Sequence, residues 1–153
     1  MKIGIYPGSF NPWHEGHTDV LLKALKVFDK VVVAIGQNPD KQQKTFDELR
    51  TFHQTIRDNL PQGLEFSRIE VLTFQGLLAD FANDYFDTKG SEFLVASGVI
   101  RGLRNGQDLE FERTQQYWNE DLGMKVPTVY FVCDRKLSHI SSSAIRAVAK
   151  IKG

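Results

Sequence analysis

The chain has 153 residues, of which 41% are apolar and 25% are charged, so residues 1–153 are expected to form one globular domain rather than a disordered segment. Nineteen basic residues balance nineteen acidic ones, so the chain lacks the excess positive charge on which nonspecific nucleic-acid binding depends. No apolar run approaches the roughly 20 residues of a membrane span, no signal-peptide core follows Met1, and the single Cys133 cannot form an internal disulfide, so a cytoplasmic protein is expected.

The first predicted unit is a strand, a turn and a helix. A short apolar run, Ile3–Ile5, precedes a turn-rich segment, and apolar residues then recur at helical spacing from Thr18 to Phe28. The segment between them, Tyr6–His17, is therefore predicted to be the first strand-to-helix turn of an α/β fold.

This turn has the features of an anion site. N–H groups at the start of a helix lack intrahelical acceptors, and the helix dipole adds partial positive charge there. Ser9, His14 and His17 supply further donors, and Gly16 is expected to let the backbone approach a ligand closely. Phosphate is the predicted ligand.

The rest of the chain continues the alternation of strand and helix. The second helix is predicted to begin at Thr45 or Asp47, with Phe46, Leu49, Phe52 and Ile56 facing inward. The remaining predicted elements are strands at 31–35, 66–72, 93–96 and 128–132, and helices at 45–59, 77–86, 107–122 and 141–151.

This alternation predicts a single Rossmann-like α/β domain, a doubly wound five-stranded parallel sheet with helices on both faces and right-handed crossovers. Ligands of such sheets bind at the carboxyl ends of the strands. Four groups of candidate residues follow strands and are expected at that edge: Ser9 and His17, Lys41, Arg101 and Arg104, and Ser141 and Ser142.

Several segments resemble a known family. Gly8–Pro12 followed by His14-x-Gly16-His17 is similar to the signature of the His-x-Gly-His nucleotidyltransferases. Residues 99–104, 108–112 and 140–143 resemble, in order and spacing, the motifs of the phosphopantetheine adenylyltransferases, and the similarity extends from residue 2 to about residue 150. The resemblance implies transfer of AMP from ATP to 4′-phosphopantetheine, which gives dephospho-coenzyme A and pyrophosphate in coenzyme A synthesis.

The resemblance also implies roles for individual residues. The catalytic residues would be His17, Ser9, Lys41 and Arg104, of which His17 and Ser9 would bond the α-phosphate. The nucleotide would also contact Phe10, His14, Glu112 and the run Ser141, Ser142 and Ser143, with Arg104 on the ATP phosphates. The acceptor would be held by Ser9, Lys41 and Arg101 at its phosphate and by Leu77 and Leu78 along its arm.

Partners follow from the same likeness. Mg²⁺ is expected to accompany ATP rather than to be held by a protein cage, because magnesium prefers phosphate oxygens and water. The family usually forms hexamers, so a homo-oligomer is expected. The chain departs from the family pattern at a predicted insertion, Tyr85–Ser91, at Leu137, where an aromatic residue is common, and at Gly153, beyond which the family usually continues into a tail.

Alternative interpretations remain open. Arg101 and Arg104, three residues apart, would share a face of a helical turn and could pair with Asp108 or Glu112 on the surface. Leu77 and Leu78 could be core residues, Ser141–Ser143 a helix cap alone, and His14 and His17 part of a zinc site with further ligands. The rival activities are nicotinamide or nicotinate mononucleotide adenylyltransferase, a cytidylyltransferase, and a nucleotide-binding module without turnover.

Overall fold

A computed structural model of the chain describes residues 1–90 and 97–153. Within these residues, five parallel strands form one sheet in the order β3-β2-β1-β4-β5. The strands are β1 (Ile3–Gly8), β2 (Lys30–Gln37), β3 (Ile69–Gln75), β4 (Ser97–Leu103) and β5 (Thr128–Val132). The helices are α1 (Glu15–Ala24), α2 (Phe46–Asp58), α3 (Leu78–Lys89), α4 (Gly106–Asp121) and α5 (Ser142–Lys152), with 3₁₀ turns at Phe66–Arg68 and Arg135–Leu137.

The strand order places a crevice between β1 and β4. The chain proceeds from β1 to β2 on one side, whereas β4 returns to the other side of β1. The register aligns Ile5 with Val32 of β2 and with Val99 of β4. Ligands of open α/β sheets bind where the strand order reverses, at the carboxyl ends of the strands. The segments after β1 and β4 therefore meet at the predicted edge.

Both faces of the sheet are covered, as the continuous apolar sequence of β2 requires. Val31, Val33 and Ile35 of β2 belong to one buried cluster, which also contains side chains of α1 and α2. Val32 and Ala34 belong to a second cluster on the opposite face, together with side chains of α3. Alternate residues of one strand thus enter two cores, which confirms the predicted doubly wound architecture.

Several predicted boundaries were wrong. The helix predicted from Thr18 begins at Glu15 and ends at Ala24, because His14 and not a residue nearer Thr18 caps it. Residues 66–68 form a 3₁₀ turn, so the third strand starts later and extends to Gln75. The strand predicted at 93–96 lies outside the described residues, and the fourth strand is observed from Ser97 onwards.

The inward orientation predicted for Phe46 is also wrong. Phe46 is 76% exposed and does not face the core, whereas Phe52 and Ile56 are buried. Thr45 caps α2 by accepting a hydrogen bond from the Glu48 backbone N–H, so Phe46 occupies the first helical position, beyond the reach of the sheet.

The third helix is longer than predicted. It continues to Lys89, so most of the proposed insertion, Tyr85–Ser91, is helical. Tyr85 and Phe86 are buried in the second core cluster, and packing of these rings explains why the helix continues past Phe86. None of the described helices is long and apolar enough to cross a bilayer.

Candidate active site

A cleft of about 280 Å³ opens at the carboxyl edge between β1 and β4. Three distant segments form its walls: the turn from β1 into α1, the end of β4, and the approach to α5. The predicted residues that line it are Ser9, Phe10, His14, His17, Arg101, Arg104, Ser141 and Ser142, together with Tyr6, Leu103, Cys133, Leu137 and Ile140. The predicted convergence of His17 with Arg101 and Arg104 is confirmed.

His14 and His17 form a reciprocal cap at the start of α1. The Gly16 backbone N–H donates to His14 Nδ1 at 3.0 Å, and the His14 backbone N–H donates to His17 Nδ1 at 3.2 Å. A nitrogen that accepts a hydrogen bond carries no proton, so the proton of each neutral ring lies on Nε2. The backbone thus fixes both tautomers and leaves two Nε2–H donors for a ligand in the cleft.

Aromatic rings keep His17 neutral. The imidazoles of His14 and His17 stack with centroids 3.7 Å apart, and the Phe10 ring meets His17 edge-on at 4.9 Å. The ring centroid of Trp13 lies 5.2 Å from that of His17. Burial, with smaller contributions from His14 and Arg101, lowers the pKa of His17 to about 3. Burial also lowers the pKa of His14, with Arg104 contributing.

Gly16 lines the cleft, where its close approach to a ligand stays a prediction, and it also has a second role. A Cβ on Gly16 would lie 2.8 Å from His14 Cε1 and 3.0 Å from His14 Nδ1. The absent side chain therefore makes room for the His14 imidazole. In the same motif Phe10 is buried, its backbone has a φ of 48°, and its ring contacts His17 edge-on.

The two arginines do not share a helical turn, but the pairing with Glu112 and Asp108 that the alternative interpretation named is observed. Arg101 lies within β4 and Arg104 directly follows the strand. Arg101 donates through Nε and Nη2 to the two Glu112 oxygens, both at 2.8 Å, and through Nη1 to the Pro7 carbonyl at 3.0 Å. Glu112 is buried and pairs with Arg101. Glu112 does not line this cleft, and its predicted contact with a nucleotide stays a prediction.

The start of α5 faces the first turn. Ser141 caps the helix by accepting a hydrogen bond from the Ala144 backbone N–H, and Ser142 Oγ donates to the Pro12 carbonyl at 2.8 Å. Ser143 is exposed and does not line the cleft; its hydroxyl accepts a hydrogen bond from Arg146. Arg146, absent from the predicted site, also donates to the Asn11 carbonyl. These bonds join the last helix to the loop after β1.

The remaining lining is apolar. Leu137, which stands where the family commonly has an aromatic residue, is buried at the wall. Tyr6, Cys133 and Ile140 complete this side, and burial raises the pKa of the Cys133 thiol. An aromatic base would find a nonpolar surface here. Tyr6, Cys133 and Ile140 were not predicted as site residues, because apolar residues in or just after a strand are more often core than site.

Leu77 and Leu78 line a second cleft, of about 350 Å³, between the start of α3 and α4. Leu77 is 47% exposed, so it is not the core residue of the alternative interpretation. The aromatic rings of Phe111 and Trp118 also line this cleft. Arg101 lines both clefts, so the two clefts meet at this residue.

Lys41 lies apart from both clefts. It follows β2 and thus belongs to the predicted edge, but its side chain is exposed and lines neither cleft. Among the described residues, no group of three or more His, Cys, Asp and Glu side chains is placed to hold a metal ion.

The sequence and structure resemble known proteins. The Cytidylyltransferase-like family model matches residues 5–148. A phosphopantetheine adenylyltransferase of Alkaliphilus metalliredigens is 37% identical over 155 aligned positions, covering 100% of this chain and 88% of that protein. The chain belongs to the phosphopantetheine adenylyltransferases. A relative of the same name from Cytophaga hutchinsonii is also 37% identical, with 99% and 92% of the two chains covered.

Several solved structures share the fold of this chain. A bifunctional NMN adenylyltransferase/ADP ribose pyrophosphatase from Francisella tularensis has a TM-score of 0.62 at 13% identity, covering 96% of this chain and 41% of that one. A putative nicotinate-nucleotide adenylyltransferase from Vibrio parahaemolyticus has a TM-score of 0.51 at 22% identity, with 97% and 86% covered. At these identities the likeness supports the Rossmann-like fold alone, and the sequence relatives favour phosphopantetheine over the mononucleotide alternatives.

Proposed function

We propose that this family member transfers the adenylyl group of ATP to 4′-phosphopantetheine in the cleft between β1 and β4, releasing pyrophosphate and forming dephospho-coenzyme A. The observation that carries the proposal is the meeting of His17, Arg101, Arg104 and the Ser141–Ser142 cap around one cleft. These groups are donors and cations from three distant segments. Such a set suits two polyanionic substrates better than an uncharged ligand.

The reaction needs positioning and charge stabilisation rather than a general base. The second pKa of a phosphate monoester is about 6, so the acceptor phosphate is mostly dianionic near neutral pH. Its oxygen attacks the α-phosphorus of ATP, and the bond from that phosphorus to the pyrophosphate oxygen breaks. His17 stays neutral and has an Nε2–H to donate to the α-phosphate as charge shifts onto it.

The two clefts suggest where each substrate binds. ATP would occupy the cleft between β1 and β4, with Ser9 and His17 at the α-phosphate, Arg104 and the Ser141–Ser142 cap at the outer phosphates, and the apolar side around Leu137 for the base. The acceptor's arm would lie along Leu77 and Leu78 in the second cleft. Its phosphate would then reach Arg101, which lines both clefts. Lys41 would contact the same phosphate if the loop after β2 folds toward the cleft when the acceptor binds.

Mg²⁺ is proposed as a partner of ATP rather than a resident metal. The polar groups that line the ATP cleft are imidazole N–H, guanidinium and hydroxyl donors, and the nearby carboxylates of Glu112 and Asp108 are engaged by arginines. Hydrogen-bond donors do not fit a bare cation, whereas the phosphate oxygens of ATP do. Bound Mg²⁺ would lower the charge of the triphosphate.

An acceptor panel tests the proposed substrate. Pyrophosphate release from ATP would be measured with 4′-phosphopantetheine, nicotinamide mononucleotide, nicotinate mononucleotide and glycerol 3-phosphate, and then with CTP in place of ATP. We expect release with ATP and 4′-phosphopantetheine alone. Turnover of a mononucleotide in preference to phosphopantetheine would refute the substrate, and ATP binding by calorimetry without release from any acceptor would refute catalysis.

Assembly and location are also proposals. A homo-oligomer, a hexamer by likeness to the family, and a cytoplasmic location are expected from the sequence. Sedimentation velocity at micromolar concentration measures the first directly, and a monomer at that concentration would contradict it.

A further inference from the structure

Two carboxylates of α4 hold the two arginines at the end of β4. Asp108 accepts three hydrogen bonds from Arg104: from its backbone N–H at 2.8 Å, from Nε at 3.0 Å and from Nη2 at 3.2 Å. Glu112 accepts two from Arg101. Asp108 and Glu112 are four residues apart in one helix, so they lie on the same face. A single face of α4 therefore contacts both guanidinium groups.

The two pairs differ in their burial. Glu112 is 8% exposed and its partner Arg101 is half-buried, whereas the side chains of Arg104 and Asp108 are 39% and 23% exposed. Arg104 lowers the pKa of Asp108 against the opposing effect of its burial. A buried ion pair adds little net stability relative to well-packed apolar residues, and an exposed i,i+4 pair adds less than about 1 kcal/mol. Stability alone is thus a weak reason for placing a carboxylate behind each arginine.

The geometry fixes the direction in which each arginine can bind. A guanidinium has five N–H groups in one plane, and a two-point contact with a carboxylate sets the orientation of that plane. Within the described part of the chain, Arg101 uses three of these groups, on Glu112 and Pro7. Arg104 uses two on Asp108. The N–H groups that remain are those available to phosphate oxygens in the clefts that the two arginines line.

We propose that Asp108 and Glu112 are positioning residues, Asp108 orienting Arg104 toward the phosphates of ATP and Glu112 orienting Arg101 toward the phosphate of the acceptor. The identity of the two substrates rests on the proposed function. The register of α4 against β4 then sets the separation of the two phosphate-binding cations.

Charge-removing variants of similar shape test the proposal. Asp108→Asn and Glu112→Gln would be compared with Glu110→Gln, a control on the same helix whose residue is exposed. We expect Asp108→Asn to raise KM for ATP about tenfold with little change in KM for the acceptor. Glu112→Gln should raise KM for the acceptor by a similar factor and leave ATP largely unaffected. Glu110→Gln should change neither constant.

A double-mutant cycle separates positioning from general stabilisation and remains usable if Glu112→Gln does not fold. If Asp108 acts through Arg104, then Asp108→Asn in an Arg104→Ala background should cause no further loss of ATP affinity. An equal loss in both backgrounds would overturn the proposal. So would unchanged KM values in folded Asp108→Asn protein, or a parallel rise of both KM values accompanied by a lower melting temperature.

Failure of the proposed function would give a different result. Wild-type protein would then leave 4′-phosphopantetheine unconverted, whatever the variants do. The effect of Asp108 on ATP binding can still be measured by calorimetry on wild-type protein, on Asp108→Asn and Arg104→Ala, and on the protein with both substitutions. The positioning role would be supported if Asp108→Asn weakens ATP binding in the wild-type background and causes no further weakening in the Arg104→Ala background. Equal ATP binding by wild-type and Asp108→Asn protein would contradict it.

Discussion

Gly16→Ala tests whether the His14 imidazole needs the space that glycine leaves. The new Cβ would lie 2.8 Å from His14 Cε1, whereas an ordinary contact is at least 3.4 Å. The imidazole of His14 therefore has to move by about 0.6 Å or more. A displacement near 1 Å from productive geometry can lower the rate on the order of a hundredfold. It would also strain the bond from the Gly16 N–H to His14 Nδ1. We expect kcat to fall by roughly tenfold to a hundredfold.

Stability should change little in the same variant. Alanine is a better helix former than glycine by about 1 kcal/mol, and loss of a neutral hydrogen bond costs about 1 kcal/mol, so the two effects nearly cancel. Gly106→Ala is the matched control, because Gly106 also lies in the first turn of a helix but a Cβ there would meet nothing within 4 Å. The control should retain activity and gain a little stability.

The assay is steady-state pyrophosphate release, with thermal unfolding measured on the same samples. A Gly16→Ala enzyme with the wild-type kcat would refute the reasoning, because the imidazole would then tolerate displacement. A large loss of melting temperature would also refute it, since the effect would no longer be confined to the site.

Two further predictions concern pH and Lys41. The folded state takes up a proton at His17 only near pH 3 and the unfolded state near 6.5, so the stability that neutral His17 contributes is complete above pH 6.5 and is lost as the pH falls, by up to about 1.4 kcal/mol per pH unit. The free energy of unfolding, measured with urea between pH 7 and 5, should therefore depend less steeply on pH in His17→Asn than in the wild type. An identical pH dependence would contradict the neutral histidine. Lys41→Ala should raise KM for the acceptor about tenfold without lowering stability, because the side chain is exposed. Lys44→Ala, in the same loop, serves as its control, and equal effects of the two substitutions would remove Lys41 from the acceptor site.

The segments that lie at the carboxyl edge of the sheet could be predicted from the sequence, because strands and helices are indicated by local residue patterns. Apolar periodicity distinguishes strands from helices, and in a parallel sheet every strand carries its following loop to the same edge. The segments with Ser9, His17 and Ser141 therefore converge as expected. The uninterrupted apolar run at residues 31–35 also indicates a strand covered on both faces.

Tertiary register could not be predicted in the same way. The sequence offered Asp108 and Glu112 as possible partners of Arg101 and Arg104, but which carboxylate pairs with which arginine depends on how α4 crosses β4. The contact between Gly16 and His14 depends on the rotamer of a capping imidazole. Phe46 has the periodicity of a core residue, but the cap at Thr45 places it beyond the sheet.

The kinetics of His17→Ala test the central claim most directly. The account gives His17 a donor role that strengthens as charge builds on the α-phosphate, so we expect kcat to fall by about a hundredfold or more, with KM for ATP and for 4′-phosphopantetheine changed by less than about threefold. The variant should remain folded by circular dichroism. Wild-type turnover by folded His17→Ala protein, or a rise in KM with kcat unchanged, would contradict it.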